Sequence, residues 1–282
     1  MKDIGLIGLG NIGSYYTKKL LGAGYPLTVF DIDKVKLESA AGQGAKAAAS
    51  AAEVVENSDI ILLSLPGSPA VESVMDSVLG VLRAGQLVID TSTNRPSTSI
   101  RYEKLCAEKG VGFIDSPLTS KAVGHYLMVG GTKENFEKGE EILKCIGYKY
   151  KHIGKPGDGA VLKLINQAVQ AGELAVHAEA VEMAKMHNID PTLLKSYLEF
   201  NISDRLFTGE YHGGGHLALH YKDLGYLIEI AHDSGANIPI SSFVHEIFKT
   251  SRRYGHPDWY QVGIQTYYKR LNNDVEKKEQ TD

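Results

Sequence analysis

One segment near the start of the chain constrains the fold more than any other. Gly8-Leu9-Gly10-Asn11-Ile12-Gly13 is a GxGxxG that follows an apolar run, Asp3 to Ile7, and opens an amphipathic one, Ile12 to Leu21. A second apolar run, Leu27 to Phe30, then ends in a carboxylate, Asp31, 18 residues after Gly13. A strand, a glycine loop opening a helix, and a strand ending in an acid make up the dinucleotide-binding fingerprint. Gly8 permits the tight turn, Gly10 lets backbone approach a pyrophosphate, and Gly13 lets the helix pack closely on the sheet. The first N–H groups of the helix, from Leu9, Asn11 and Ile12 onward, then face the phosphate charge. The plain alternative is a strand–helix turn that binds nothing.

Asp31 bears on which dinucleotide is expected. A carboxylate there accepts from both ribose hydroxyls of NAD and repels the 2′-phosphate of NADP. The next residue is Ile32 rather than an arginine, although Lys34 and Lys36 follow. NAD is therefore the expected cofactor.

From there to about residue 155 apolar runs alternate with amphipathic ones. Strands are expected at Ile60 to Leu65, Leu87 to Asp90, Gly112 to Ile114, His125 to Val129 and Tyr148 to Ile153. Helices are expected at Lys34 to Ala41, Ala51 to Glu56, Ser97 to Lys109 and Lys133 to Cys145. Such alternation implies a parallel sheet with right-handed crossovers. After Pro156 the pattern changes to helix only, beginning with one long stretch, Gly157 to His187. The expected fold is α/β: a Rossmann-type dinucleotide-binding domain at 1–158, then an all-α domain at 159–282 joined by a long helix. The tail, Glu276 to Asp282, is polar and reads as disordered.

Composition excludes several classes. The 282 residues carry 30 Lys+Arg against 34 Asp+Glu, with no basic block to suit nucleic acid. No apolar run reaches the ~18–20 residues of a membrane span, and the N-terminus lacks the shape of a signal peptide. Two cysteines, Cys106 and Cys145, suit a reducing cytoplasm better than a disulfide framework or a zinc site.

Further motifs, in order, resemble those of the β-hydroxyacid dehydrogenase family, which includes 3-hydroxyisobutyrate dehydrogenase and is related to 6-phosphogluconate dehydrogenase. They are Leu65-Pro66, Asp90-Thr91-Ser92-Thr93, Asp115-Ser116-Pro117, Gly159 to Asn166, and His220-Tyr221-Lys222-Asp223-Leu224. The resemblance covers nearly the whole chain. It implies Leu65, Pro66, Thr93 and Lys222 beside the cofactor and Lys163 as the catalytic lysine. The departures concern the substrate loop. The family's D-A-P-V-S-G-G is here Asp115-Ser116-Pro117-Leu118-Thr119-Ser120-Lys121, without either glycine. Close backbone approach to a carboxylate is harder without them. Thr119 keeps a hydroxyl, Ser120 follows it, and Lys121 adds a cation that could replace the lost donors. A second family asparagine is Gln167 here.

Read from the residues, Lys163 lies among Val161, Leu162, Leu164 and Ile165. A lysine in such a run either snorkels to solvent or serves chemistry. Hydride transfer to a carbonyl leaves an alkoxide that needs a proton, and a buried lysine can supply it. Asn166 and Gln167, at i+3 and i+4, share its helical face and could orient the amine or the substrate. His220, beside Lys222, suits a pocket wall. His212, His216 and His220 have metal-ligand spacing only on a continuous helix, which Gly213-Gly214-Gly215 interrupts, so no metal is expected.

The reading is an NAD-dependent oxidoreductase acting on a small β-hydroxy acid or its semialdehyde. Two others stay open: a reductase of a non-carboxylate carbonyl or imine, such as a sulfonated aldehyde, and an NAD-binding sensor without turnover. The glycine loop lies in the first domain and Lys163 and Lys222 in the second, so the active site is expected in the cleft between them. The long helix, ~43 Å, exceeds what one small domain needs, and a homodimer or homotetramer is expected.

Overall fold

The computed structural model describes residues 2–279, with side-chain surroundings to residue 272. The chain forms two compact units, residues 1–163 and 164–282.

The first unit is built around a parallel sheet. Its elements in chain order are β1 (Ile4–Ile7), α1 (Asn11–Gly22), β2 (Leu27–Phe30), α2 (Lys34–Gly42), β3 (Lys46–Ala47), α3 (Ala51–Glu56), β4 (Ile60–Leu63), α4 (Ser68–Val78), β5 (Leu87–Asp90), α5 (Pro96–Ala107) and β6 (Gly112–Asp115). Then come β7 (Leu118–Lys121), β8 (Gly124–Gly130), α6 (Lys133–Ile146) and β9 (Lys149–Gly154). The order across the sheet is β3-β2-β1-β4-β5-β6-β8-β7, with β9 also pairing β8. The first six strands pair in parallel.

The sequence Ile-Ile-Leu-Leu of β4 shows why this sheet is central. Successive side chains point to opposite faces. Ile60 and Leu62 enter one apolar cluster with Leu6, Leu87 and Ile89, while Ile61 and Leu63 enter another with Ile7, Val71 and Val88. A strand buried on both faces has no polar face, hence the unbroken apolar run. Side chains cap several helices: Asp33 accepts from Val35 N, Ser50 from Glu53 N and Thr132 from Asn135 N. α1 differs, opening at Gly10 without a side-chain cap.

The segment expected to be an open substrate loop is instead strand β7, paired antiparallel with β8 from Leu118↔Leu127 to Lys121↔Gly124. Two elements lie where none is expected, β3 and α4. The helical spacing of Val71, Met75 and Val78, all buried, accounts for α4.

The second unit continues α7 (Asp158–Met186) and adds α8 (Leu193–Ser196), α9 (Asp204–Thr208), α10 (His216–Ser234), α11 (Pro239–Tyr254), a 3-10 turn (Gln261–Ile264) and α12 (Gln265–Glu279). Its core joins Leu164, Ala171 and Ala178 of α7 to Leu224, Phe248 and Ile264. The disorder expected from Glu276 is corrected as far as Glu279, where α12 ends, and residues 280–282 lie outside the described residues. His216 opens α10, whereas His212 lies outside it and bridges to Trp259, so the three histidines do not share one helix.

Candidate active site

The glycine loop answers to its sequence. Gly8 has φ +96°, and a Cβ there would lie 2.3 Å from Ser64 O. A Cβ on Gly13 would lie 2.0 Å from Gly8 O, so the helix can start here only on glycine. At Gly10 a Cβ would meet nothing within 4 Å, which leaves backbone facing open space at an uncapped helix start. Asp31 ties β2 to this loop, since its Oδ2 accepts from Leu9 N at 2.6 Å and its Oδ1 from Asp33 N at 2.8 Å. Each oxygen retains a lone pair for a ribose hydroxyl. Ile32 beside it is 93% exposed and offers an apolar surface next to that carboxylate. An open cradle, free helix N–H groups, an acid and an apolar platform fit a dinucleotide.

The neighbouring loops are laced to one another. Leu65 N donates to Ser92 Oγ at 2.9 Å, Thr91 Oγ1 to Leu63 O at 2.7 Å, and Arg95 N to Ser68 Oγ at 2.8 Å. Asp90 anchors the segment that carries Thr93, accepting from Ser92 N and Asn94 Nδ2. Burial pushes the Asp90 carboxyl up to about 7; hydrogen bonds from Ser92 and Asn94 oppose that rise and the charge of Asp115 adds to it.

Asp115 holds the start of the helix that carries Lys163. Its Oδ1 accepts from Gly157 N at 2.7 Å and its Oδ2 from Ala160 N at 2.8 Å. These are among the donors that a helix start leaves without intrahelical partners. Burial pushes the Asp115 carboxyl up to about 6, against the pull of those N–H groups. The approach is close enough to require glycine on both sides. A Cβ on Gly159 would lie 2.3 Å from Met128 O, and one on Gly130 would lie 2.8 Å from Gly159 N. The role of Asp115 is missing from the sequence reading because its partners lie over forty residues away.

α7 then inverts the usual pattern. Lys163 is 8% exposed, whereas its apolar neighbours Leu162 and Ile165 are 37% and 48% exposed. A helix that turns its lysine inward and its leucine outward is not using that lysine for solubility.

The hairpin sorts the three loop candidates by face. Ser120 lies opposite His125, and its Oγ meets His125 Nδ1 at 3.1 Å. His125 in turn packs edge-on against Tyr15 of α1, with ring centres 4.5 Å apart. Ser120 therefore points toward α1, and alternation puts Thr119, which is buried, and Lys121, which is exposed, on the other face. Expected together, Ser120 and Thr119 are placed apart.

In the second unit Gln167 and Lys222 meet on Asp223, a residue to which the sequence alone assigns no role, and His220 joins through Gln167. Gln167 Nε2 donates to Asp223 Oδ2 at 2.8 Å and lies 3.1 Å from His220 Nδ1. Lys222 Nζ is 3.2 Å from Asp223 Oδ1 and 5.3 Å from the Tyr226 ring centre. Asn166 Nδ2 reaches Gln167 Oε1 only at 3.5 Å. Gln167 is thus committed to this buried network. Among the described residues no group of three or more His, Cys, Asp or Glu side chains could hold a metal ion.

Residues 3–154 match the family description "NAD binding domain of 6-phosphogluconate dehydrogenase", and residues 157–268 match "NAD-binding of NADP-dependent 3-hydroxyisobutyrate dehydrogenase". The chain belongs to the β-hydroxyacid dehydrogenase family. This dehydrogenase is 30% identical over 270 residues to 2-(hydroxymethyl)glutarate dehydrogenase of Eubacterium barkeri, covering 89% of this chain and 90% of that one. It is 28% identical over 282 residues to NAD-dependent L-serine dehydrogenase of Pseudomonas aeruginosa, covering 92% and 95%. It shares its fold with a solved Mycobacterium tuberculosis 3-hydroxyisobutyrate dehydrogenase bound to L-serine, with TM-score 0.85, 24% identity and coverage of 95% and 99%. The dehydrogenase is an NAD-binding oxidoreductase, and no helix among its described residues is long and apolar enough to cross a membrane.

Proposed function

We propose that the dehydrogenase interconverts a small β-hydroxy acid and its semialdehyde, with Lys163 as general acid and base and NAD preferred to NADP. The observation that carries the reading is the inverted burial at Lys163, supported by the Asp115 anchor that fixes its helix. The nicotinamide, when bound, takes up or returns the hydride. On oxidation the neutral Lys163 amine accepts the proton of the substrate hydroxyl as that carbon gives up its hydrogen with the electron pair. On reduction the Lys163 ammonium returns a proton to the carbonyl oxygen. Thr119 Oγ1 hydrogen-bonds a substrate oxygen, and Asp223 holds Gln167 and Lys222 in place.

Lys163→Met keeps the apolar length and removes the proton. Turnover should fall by about 10²–10⁴-fold, the usual loss of a general acid, while NADH binding by fluorescence titration stays unchanged. Lys163→Arg should fail too, because guanidinium does not deprotonate near neutral pH. Retention of more than about a tenth of wild-type turnover in the methionine variant, well short of that loss, removes Lys163 from the role.

The reading extends to a homo-oligomer, supported by the exposed apolar side of α7, and to the cytoplasm, supported by the unpaired thiols of Cys106 and Cys145.

A further inference from the structure

We propose that the strand face carrying Thr119 continues outward into a subsite for a second, anionic group on the substrate. The inference rests on the dehydrogenase reading above, in which Thr119 touches substrate.

The strand register defines this face. Thr119 pairs with Tyr126, and Tyr126 pairs with Lys149. Residues directly opposite on neighbouring strands send their side chains to one face, so these three form a row across β7, β8 and β9. Alternation adds Lys121, and the pair Met128↔Lys151 joins the same face. On the opposite face Leu127 belongs to the core with Ile142 and Leu143 of α6, and Leu118 and Tyr150 pack against it.

Along the row burial falls steadily. Thr119 is buried, Tyr126 is half-buried, and Lys149 is exposed. The Lys149 ammonium lies 5.1 Å from the Tyr126 ring centre, and Tyr148 stacks on the same ring at 6.1 Å. Two further lysines, Lys121 and Lys151, share the face and are exposed.

Nothing on these strands offsets that charge. β7, β8 and β9 contain no Asp or Glu. Of the α6 carboxylates, Glu140 accepts from Tyr150 OH, Glu141 from Tyr25 OH, and Glu137 pairs with Lys133. Asp158 accepts from Lys155 N at the turn into α7. The face is therefore a positive strip that begins at a buried hydroxyl and leads outward over an aromatic ring.

Its length suits one molecule rather than two. The row spans two inter-strand gaps, ~10 Å. A hydroxy acid held at Thr119 and carrying a carboxylate or sulfonate a few carbons away reaches the Lys149 ammonium. An unbranched C3 acid does not. Lys121, standing where the family has glycine, contributes to the same field.

A matched substrate series tests this: 3-hydroxypropanoate bearing propyl, 2-carboxyethyl or 2-sulfoethyl at C2, oxidised with NAD. At low ionic strength both anionic members should exceed the propyl compound in kcat/KM by about tenfold, the scale of two exposed ion pairs. Added salt should shrink that preference. The Lys149→Gln/Lys151→Gln double variant should lose it, while its kcat/KM on the propyl compound stays at the wild-type value. Equal kcat/KM for all three compounds in the wild type, or an anionic preference surviving in the double variant, overturns the subsite. No turnover of any member, with NADH binding intact, overturns instead the dehydrogenase reading beneath it.

Discussion

Asp31 fixes the glycine loop by holding Leu9 N, and each of its carboxylate oxygens keeps a lone pair for a further donor. Asp31→Ala should therefore weaken both NADH and NADPH, NADH the more, because only NADPH gains from losing a like charge beside its 2′-phosphate. The ratio of the two dissociation constants, measured by fluorescence titration, should favour NADH in the wild type by at least about tenfold and narrow in the variant. A ratio that does not move would free Asp31 from cofactor choice. This residue was legible because everything that defines it is local: a strand end, a glycine loop and a fixed spacing. Asp115 is the contrary case. It sits in an equally plain motif, yet its hydrogen bonds run to Gly157 and Ala160, and no local pattern announces a partner so far along the chain.

The start of α7 shows how one element is placed by others. Asp115 pulls its first N–H groups toward β6, and Gly130 and Gly159 remove the side chains that would keep strand and helix apart. Gly159→Ala sets a methyl against Met128 O, a backbone atom that cannot step aside. Overpacking of this kind costs about 1–3 kcal/mol, visible as a lower denaturant midpoint. It should also displace Lys163, one turn further on, and a misplacement of about 1 Å can cost about 10²-fold in kcat. A variant with wild-type midpoint and wild-type kcat would show that the close approach is incidental. The elements hidden in the sequence are those whose reasons are tertiary. β3 has two residues and exists only by pairing β2. β7 reads Leu-Thr-Ser-Lys, too short and too polar to signal a strand, and β8 supplies what its own pattern lacks. α4 is not read as a helix from sequence: its buried Val71, Met75 and Val78 have helical spacing, but they stand among Ser68, Pro69, Ser73 and Ser77, which read as a loop.

For the molecule as a whole, the outward side of α7 is the feature that asks for company. Ile165, Val169, Val176 and Met183 are all exposed, and Gly172 lies between Val169 and Val176. The spacing of 4, 3 and 4 along Ile165, Val169, Gly172 and Val176 is that of a helix–helix seam, and the glycine lets a second helix come close. A homo-oligomer built on this seam should sediment as a dimer or larger at micromolar concentration. Val169→Glu/Val176→Glu should leave a folded monomer with intact NADH binding. A wild-type monomer, or a double variant that assembles as before, would rule the seam out. This stripe is visible in the sequence only as part of a helix apolar on several sides, and burial alone separates the core positions Ala171, Leu174 and Ala178 from the outward ones.

The two-residue turn between β7 and β8 makes the hairpin sensitive to parity. Because Thr119 and Ser120 face opposite ways, a one-residue slip before Thr119 would exchange their faces, carrying the serine to the side of Tyr126 and Lys149 and the threonine to the side of His125 and Leu127. Adding or removing residues in twos would leave both where they are. Strand β7 can thus be lengthened or shortened before Thr119 only in even steps unless a bulge absorbs the odd residue, so parity decides which side chain a rearranged hairpin offers on each face.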